Sequence, residues 1–181
     1  MLIGAAIGLV PAFQSLTGSS IDVLRSVPVI APIPVAILIL GPEFRTEVII
    51  AVYAAMWPVL VNTSGGVRAV YPQLNEVART FQLSRIDHLR KIVLPATMPA
   101  ILVGSRLAVV SALVVAIVAE MLANPQGVGW GLMQALNGLR VERMWAYSLT
   151  CGALGFLVNA ALVYAVRRSL PGGTINRALS E

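Results

Sequence analysis

Cysteine, histidine and charge are all scarce in this chain, and each shortage excludes a class of function. Cys151 is the only cysteine, so no intrachain disulfide can form, and a small buried hydrophobe is its simplest interpretation. His88 is the only histidine, which excludes a histidine-rich metal site. We therefore predict no metal site and no cofactor.

The residue groupings that catalysis needs are missing as well. The 8 Asp and Glu residues are scattered, without a close pair for acid–base chemistry. No Gly-x4-Gly-Lys-Ser/Thr loop occurs, so the chain does not hydrolyse ATP by that route. Gly127-x-Gly129-x-Gly131 follows no predicted strand and is interpreted as a flexible turn. We predict no catalytic residues and a protein that is not an enzyme.

Apolar residues are what the chain has in excess. They make up 57% of it, charged residues only 12%, and the mean hydropathy is +0.83, whereas soluble domains carry about 25% charge. The net charge of +5 does not indicate nucleic-acid binding, because the basic residues lie in short loops between apolar runs. The composition predicts an all-α polytopic membrane protein.

The apolar residues fall into about five segments. The second is broken by prolines, so we expect it to be buried among other helices, where its free backbone groups find partners. The third is expected to leave the membrane at residues 62–66. No internal repeat or second domain is visible, which predicts one transmembrane domain over residues 1–181. The segments are approximately 1–13, 27–40, 47–61, 95–123 and 144–166.

A polar stretch at about 67–91 interrupts the apolar pattern and predicts two short helices. Pro72 suits the first turn of one helix. Ser84 is a predicted N-cap of the next, with Asp87 three residues later in a near capping-box pattern. Pro95 predicts a sharp joint between this loop and the following span.

The basic residues predict the orientation of the chain. Placing the polar loop in the cytoplasm puts 9 of the 13 arginines and lysines inside and 3 outside, with Arg106 inside a span. Such a bias favours a cytoplasmic loop. Arg45, Arg140 and Arg143 are the three predicted to face outward.

Two ionisable residues lie within apolar segments, where they are costly and raise functional hypotheses. Arg106 has either a structural role or a role in an anion pathway. Glu120 is interpreted as an interfacial carboxylate near the outer end. Trp130, Trp145 and Tyr147 suit an outer aromatic belt.

The polar loop resembles the EAA loop of ABC-importer permeases, whose pattern is Glu-Ala-Ala-x3-Gly-x9-Ile-x-Leu-Pro. Two positions depart from it: Val77 replaces an alanine and Gln82 replaces the glycine. Glutamine adopts a left-handed backbone less readily than glycine, so either the turn is right-handed here or coupling is weakened. The positions in register are Glu76, Ala78, Ile92, Leu94 and Pro95.

The resemblance implies that this loop docks on a cytoplasmic ATP-binding subunit, with Phe81 and Leu83 as apolar anchors. The alternative, an amphipathic helix lying on lipid, leaves the spacing of Ile-x-Leu-Pro unexplained. The implied coupling-loop residues are Glu76, Ala78, Arg79, Phe81, Gln82, Leu83, Ile92, Leu94 and Pro95, and Arg106 is the candidate for the translocation pathway.

Other segments are similar to the branch that imports nitrate, sulfonates and taurine, among them Trp57–Thr63 and Gly104-x-Arg106-Leu107. The resemblance implies an ABC type I importer permease fold, in a bacterial inner-membrane protein that carries a small anion. It also implies a second permease copy in a homodimer, a periplasmic or lipid-anchored substrate-binding protein, and membrane lipid around the helices. Importers of pyrimidine precursors look alike, so the substrate stays open.

The resembling family usually has six spans, and the count of about five indicates that the first span of the family is missing. We therefore expect the 181-residue form to import less than a form extended by one span. The alternative is a truncated, non-transporting remnant or a membrane interaction partner that keeps the loop.

Overall fold

The computed structural model describes residues 28–70, 74, 78 and 80–169, and this part of the chain contains helices and no strand. A single π-helical turn, Leu89–Val93, joins the third helix to the fourth. The α-helices are α1 (Ile33–Leu40), α2 (Phe44–Arg68), α3 (Arg85–His88), α4 (Leu94–Ala123), α5 (Val128–Asn137) and α6 (Val141–Ser169).

Three helical stretches in the described residues are long and apolar enough to cross a membrane: Phe44–Arg68, Ile86–Leu122 and Val141–Val166. They confirm three of the five predicted segments. The segment at 1–13 lies outside the described residues. The second segment forms α1, whose 8 residues rise only about 12 Å, against a hydrocarbon core of about 30 Å.

Within the described residues, one side of helix α1 packs against other helices and the other side is exposed, whereas the sequence predicts a segment buried among other helices. Ile33 is completely buried, whereas Leu38 is 87% exposed. Pro32 precedes the helix and Gly41, with φ of 86°, ends it, because glycine accepts this left-handed φ without strain. The packed side joins a core with α2 and α4 that consists of Ile33, Ile50, Ala54, Val115 and Ala119.

Helix α2 continues through residues 62–66, where the sequence predicts the exit from the membrane, and the exit itself stays a prediction. The helix continues to Arg68. Two polar side chains of this stretch bond to carbonyls of the helix itself: Asn62 Nδ2 donates to Pro58 O at 2.9 Å and Ser64 Oγ to Val61 O at 3.1 Å. These residues are helix-compatible because their polar groups are satisfied locally.

Gly66 in the same helix has a packing role rather than a turn role. A Cβ there would lie 2.6 Å from Ala100 Cβ and 2.8 Å from Thr97 Cγ2. Small residues let two helix backbones approach closely in membrane proteins, and α2 and α4 use Gly66 in this way.

The described residues divide between two compact units. One contains residues 58–105, and the other contains residues 28–57 with 106–165. The core of α1, α2 and α4 described above belongs to the second unit. The single domain over residues 1–181 stays a prediction.

Candidate functional site

The turn that precedes α3 is closed by Gln82, at the position where the family pattern has glycine. Gln82 has φ of 50°, and Leu83 N–H donates to Ala78 O at 3.0 Å. A hydrogen bond spanning five residues around one left-handed residue is a Schellman helix ending. The alternative of a right-handed turn is therefore wrong. The left-handed conformation costs a non-glycine residue about 1 kcal/mol or more.

Ser84 caps the helix that follows, as predicted. Its Oγ accepts a hydrogen bond from Asp87 N–H at 3.2 Å and donates one to Asp87 Oδ2 at 2.8 Å. Asp87 also forms an ion pair with Lys91 at 2.9 Å, one helical turn later. All of these bonds join residues within one short exposed segment, so they order the segment without tying it to the rest of the chain.

The same segment also carries apolar side chains that are exposed to solvent. Phe81 is 72% exposed and Ile86 is 70% exposed, while Leu83 is half-buried and Ala78 is buried. Sequence reasoning missed Ile86, whose signal was an apolar residue in the first turn of an otherwise polar helix start. Phe81 and Ile86 are two exposed apolar residues of one polar segment, and we call them the exposed pair.

Some predicted site residues cannot be placed. Glu76 and Arg79 lie outside the described residues, and the side chain of Arg85 is not described. Their predicted roles therefore stay predictions. Gln82, Ser84 and Phe81 are placed within one continuous run of described residues.

Helical structure continues through Pro95, where the sequence predicts a sharp joint between the loop and the following span. Proline lacks an N–H and its ring crowds the carbonyl four residues earlier. The chain responds with the π-helical turn Leu89–Val93, in which Leu94 N–H donates to Leu89 O. Such an insertion changes the register of the helix at this point. Thr97 Oγ1, fully buried, then donates to Val93 O at 2.6 Å.

The remaining motif residues lie along this passage. Ile92 is half-buried, Leu94 is 44% exposed and Pro95 is exposed. Helical structure is continuous from Ile86 to Leu122. The polar segment and the membrane-crossing stretch are therefore parts of one helix.

Arg106 makes a hydrogen bond that the sequence did not predict. Its Nε–H donates to Asn159 Oδ1 at 3.0 Å, which joins α4 to α6. Within the described residues no carboxylate pairs with Arg106, and its side chain is exposed. The bond supports a structural role and leaves the guanidinium charge uncompensated.

Glu120 has a capping role at the opposite end of α4. Its Oε2 accepts a hydrogen bond from Gly129 N–H at 2.9 Å in the first turn of α5. The N-cap residue Gly127 has no side chain for this task, so a carboxylate from another helix satisfies the orphan donor. The negative charge is also favourable at a helix N-terminus.

The glycine cluster at 127–131 is therefore a helix start and not a flexible turn, which corrects the prediction. A Cβ on Gly127 would collide with the Glu120 carboxyl, and one on Gly129 would collide with Ile117 O. These glycines allow α5 to lie directly against α4. The contact depends on residues about ten positions away, which is why local sequence did not reveal it.

Glu47 holds the start of the same loop. Its Oε1 accepts a hydrogen bond from Asn124 Nδ2 at 2.6 Å, and Asn124 Oδ1 accepts one from Gln126 N–H at 3.1 Å. Glu47 is a largely buried residue of α2, 77 positions before Asn124. This bond fixes a loop to a distant helix.

Comparison with known proteins places the chain among transport components. Residues 1–171 match the family described as binding-protein-dependent transport system inner membrane component. The nitrate import permease protein NrtB of Leptolyngbya laminosa is 30% identical over 93% of this chain and 62% of its own length. The putative aliphatic sulfonates transport permease protein SsuC of Bacillus subtilis (strain 168) gives the same three values.

A third relative is the bicarbonate transport system permease protein CmpB of Synechococcus elongatus, 27% identical over 91% of this chain and 60% of its own length. The chain spans about three fifths of the length of these curated relatives. Their names describe transport permeases and not enzymes, in agreement with the interpretation of the sequence.

The family and the three helices of membrane-crossing length agree on a multi-pass inner-membrane protein. They confirm the predicted all-α membrane class and the resemblance to the nitrate and sulfonate branch. The chain belongs to the binding-protein-dependent transport system inner membrane components.

Proposed function

We propose that this chain is the permease subunit of an ATP-driven importer for a small anion of the nitrate, sulfonate or bicarbonate kind. Family membership supports the transport role, and the names of the relatives support the class of substrate. The partners of this proposal are a cytoplasmic ATP-binding subunit, a second permease copy and a substrate-binding protein outside the membrane.

The observation that carries the proposal is the exposed pair on a segment that continues into a membrane span. Phe81 and Ile86 are apolar and accessible although the surrounding residues are polar and mutually bonded. Interface hot spots are typically apolar or aromatic anchors inside a polar rim. The proposed occupant of this surface is the ATP-binding subunit.

The proposed coupling follows from the continuous helix. A push on the exposed pair is transmitted along a helix that runs from Ile86 to Leu122. Closure of two ATP-binding subunits on ATP would then shift the inner ends of α4 in both permease copies. In this proposal Arg106, in the first half of α4, offers its charge to the passing anion.

The second permease copy has a candidate contact surface in α6. None of the most apolar 18-residue window of this helix is buried within the chain, and Phe156 and Leu149 are 72% and 69% exposed. Lipid and a second copy are both suitable neighbours for such a surface. We propose that the two copies and the surrounding lipid share it.

The alternative, a non-transporting remnant, is not favoured, because the family match extends over residues 1–171. The two interpretations differ in uptake. The chain is reconstituted in proteoliposomes with an ATP-binding subunit and a substrate-binding protein from the same organism, and nitrate, taurine and bicarbonate are tested separately. We expect ATP-dependent accumulation of at least one anion. Equal accumulation with and without ATP for all three would reject the importer and favour the remnant.

A further inference from the structure

A cavity of about 480 Å3 lies between α5 and the first turns of α6. It is within the range of about 300–1,000 Å3 that small-molecule sites occupy. Its polar residues carry hydrogen-bond donors, and no carboxylate lines it. The lining residues are Trp130, Gly131, Gln134, Ala135, Asn137, Gly138, Arg140, Arg143 and Tyr147.

The shape of the cavity depends on a glycine and an aromatic ring. A Cβ on Gly131 would lie 2.5 Å from Tyr147 Cζ and 2.8 Å from its Oη. The absence of that Cβ lets the Tyr147 phenol lie directly on α5. Trp130 and Tyr147 are both half-buried, so they form a partly apolar wall.

Arg140 is held at the cavity by the turn after α5. Leu139 has φ of 52°, and Arg140 N–H donates to Ala135 O at 2.9 Å, which folds the chain back onto the end of the helix. Arg140 Cγ and Nε lie 3.6 Å from the position of a Cβ on Gly138. A cation at a helix C-terminus is favoured by the helix dipole, so this arginine is stabilised without a carboxylate.

The two arginines therefore keep their hydrogen-bonding capacity. In the described part of the chain, neither the Arg140 nor the Arg143 side chain makes an ion pair or hydrogen bond, and both are exposed. Glu142 lies between them in sequence but does not line the cavity. A guanidinium presents a fork of donors that matches an oxyanion.

We propose that this cavity binds a small organic oxyanion, with Arg140 and Arg143 on the charged group and Trp130 and Tyr147 against the apolar part. The volume exceeds that of a bare inorganic ion and leaves room for a short substituent. A sulfonate and the phosphate of a lipid headgroup share this chemistry. The basic-residue bias predicts an extracytoplasmic position for the cavity.

The site would receive the anion before it enters the membrane. Only this role rests on the proposed import function; binding itself does not. Binding and uptake are therefore measured separately. Binding of the anion by the unmodified chain, without ATP-dependent uptake by the reconstituted importer, would reject the importer and keep the site.

The binding test uses the full chain, reconstituted with its ATP-binding subunit in nanodiscs of phosphatidylcholine and titrated with ethanesulfonate by calorimetry. The substrate-binding protein is left out, because it would bind the anion itself. The double variant Arg140→Gln/Arg143→Gln is compared with Arg45→Gln, which removes one exposed arginine predicted to face the same side. We expect the double variant to weaken binding roughly tenfold or more, the effect of losing a charged hydrogen bond. Arg45→Gln should bind like the unmodified protein.

A second arm replaces ethanesulfonate with nanodiscs that contain phosphatidylglycerol and measures its retention by mass spectrometry. Retention that depends on the two arginines would support the oxyanion site and identify a lipid headgroup as its ligand. Equal loss in Arg45→Gln and in the double variant, in both arms, would overturn the proposal. No dependence on Arg140 and Arg143 in either arm would overturn it as well. An unchanged elution profile confirms that each variant is folded.

Discussion

Two regions of the described chain contain the same kind of turn but are held in different ways. The first loop is the segment 81–91 before α4, and the second loop is the stretch 124–140, which contains the α4–α5 connection, α5 and the turn after it. Gln82 before the helix and Leu139 after α5 both adopt left-handed conformations at φ of 50° and 52°. The bonds among Ser84, Asp87 and Lys91 join neighbouring residues of the first loop. The second is fixed to the bodies of α2 and α4 by Glu47 and Glu120.

The difference indicates two tasks. Bonds between neighbouring residues keep the shape of the first loop while its apolar residues Phe81 and Ile86 stay exposed. A loop bonded to distant helices keeps its position, which suits a cavity whose arginines must converge. Exposed ion pairs between neighbouring residues contribute little to stability, whereas a partly buried charged cap contributes more.

The largest expected difference between the two loops is the side of the membrane that each one faces. In a Cys151→Ala background and without the other subunits, an impermeant thiol reagent should label Asn137→Cys in intact cells. Ile86→Cys should react only after the cells are lysed. Ile86 and Asn137 both have exposed side chains, so local burial does not explain a difference in labelling by the reagent. Labelling of Asn137→Cys only after lysis would reverse the proposed orientation.

The next difference concerns stability. Glu120→Ala removes the cap of α5 and leaves Gly129 N–H without its partner, which should cost about 1–2 kcal/mol. Asp87→Ala removes only bonds within one exposed segment and should change stability less. The Tm of both purified variants in detergent measures the contrast. A drop for Asp87→Ala as large as that for Glu120→Ala would remove the distinction between the loops.

The local features of the first loop could be predicted from sequence, because they depend on neighbouring residues. Ser84 and Asp87 form the predicted cap, three residues apart. The features of the second loop could not. Glu120 reads as an isolated carboxylate, and its capping role appears only when α5 lies against α4.

Glycines show the same limit. Gly66 and Gly129 resemble turn residues in the sequence but serve close packing against Thr97 and Ile117. Thr97 and Ile117 lie on a different helix from the glycine that each one contacts, so only the folded structure reveals the contact. The conformation of Gln82 was also open, because propensity disfavours a left-handed glutamine and only the observed hydrogen bond from Leu83 to Ala78 resolves it.

The smallest expected effect is an increase in the stability of the protein. Gln82→Gly restores the glycine of the family pattern at a left-handed position and should stabilise the protein by about 1 kcal/mol, after the entropy that glycine loses on folding. Leu139→Gly should do the same in the second loop, and Gln82→Ala should not. The Tm of the three variants checks this. A lower Tm for Gln82→Gly would contradict the strained turn.

Docking of the first loop on the ATP-binding subunit is the central claim, and one pair of substitutions tests it most directly. Phe81→Ala and Leu139→Ala each truncate an exposed apolar residue, with exposures of 72% and 84%. Phe81 precedes the left-handed residue Gln82, and Leu139 is itself left-handed. Each variant is co-expressed with the ATP-binding subunit and purified from the membrane through a tag on the permease. Glu76→Lys, on the same predicted docking face as Phe81, is purified alongside them.

Loss of an anchor residue at an interface costs about 2 kcal/mol or more. We therefore predict that Phe81→Ala, and likewise Glu76→Lys, lowers the amount of ATP-binding subunit recovered per permease. Leu139→Ala should leave that ratio unchanged, and the membrane level of all variants should match the unmodified chain. Full recovery of the ATP-binding subunit with Phe81→Ala, at an unchanged membrane level, would contradict the account.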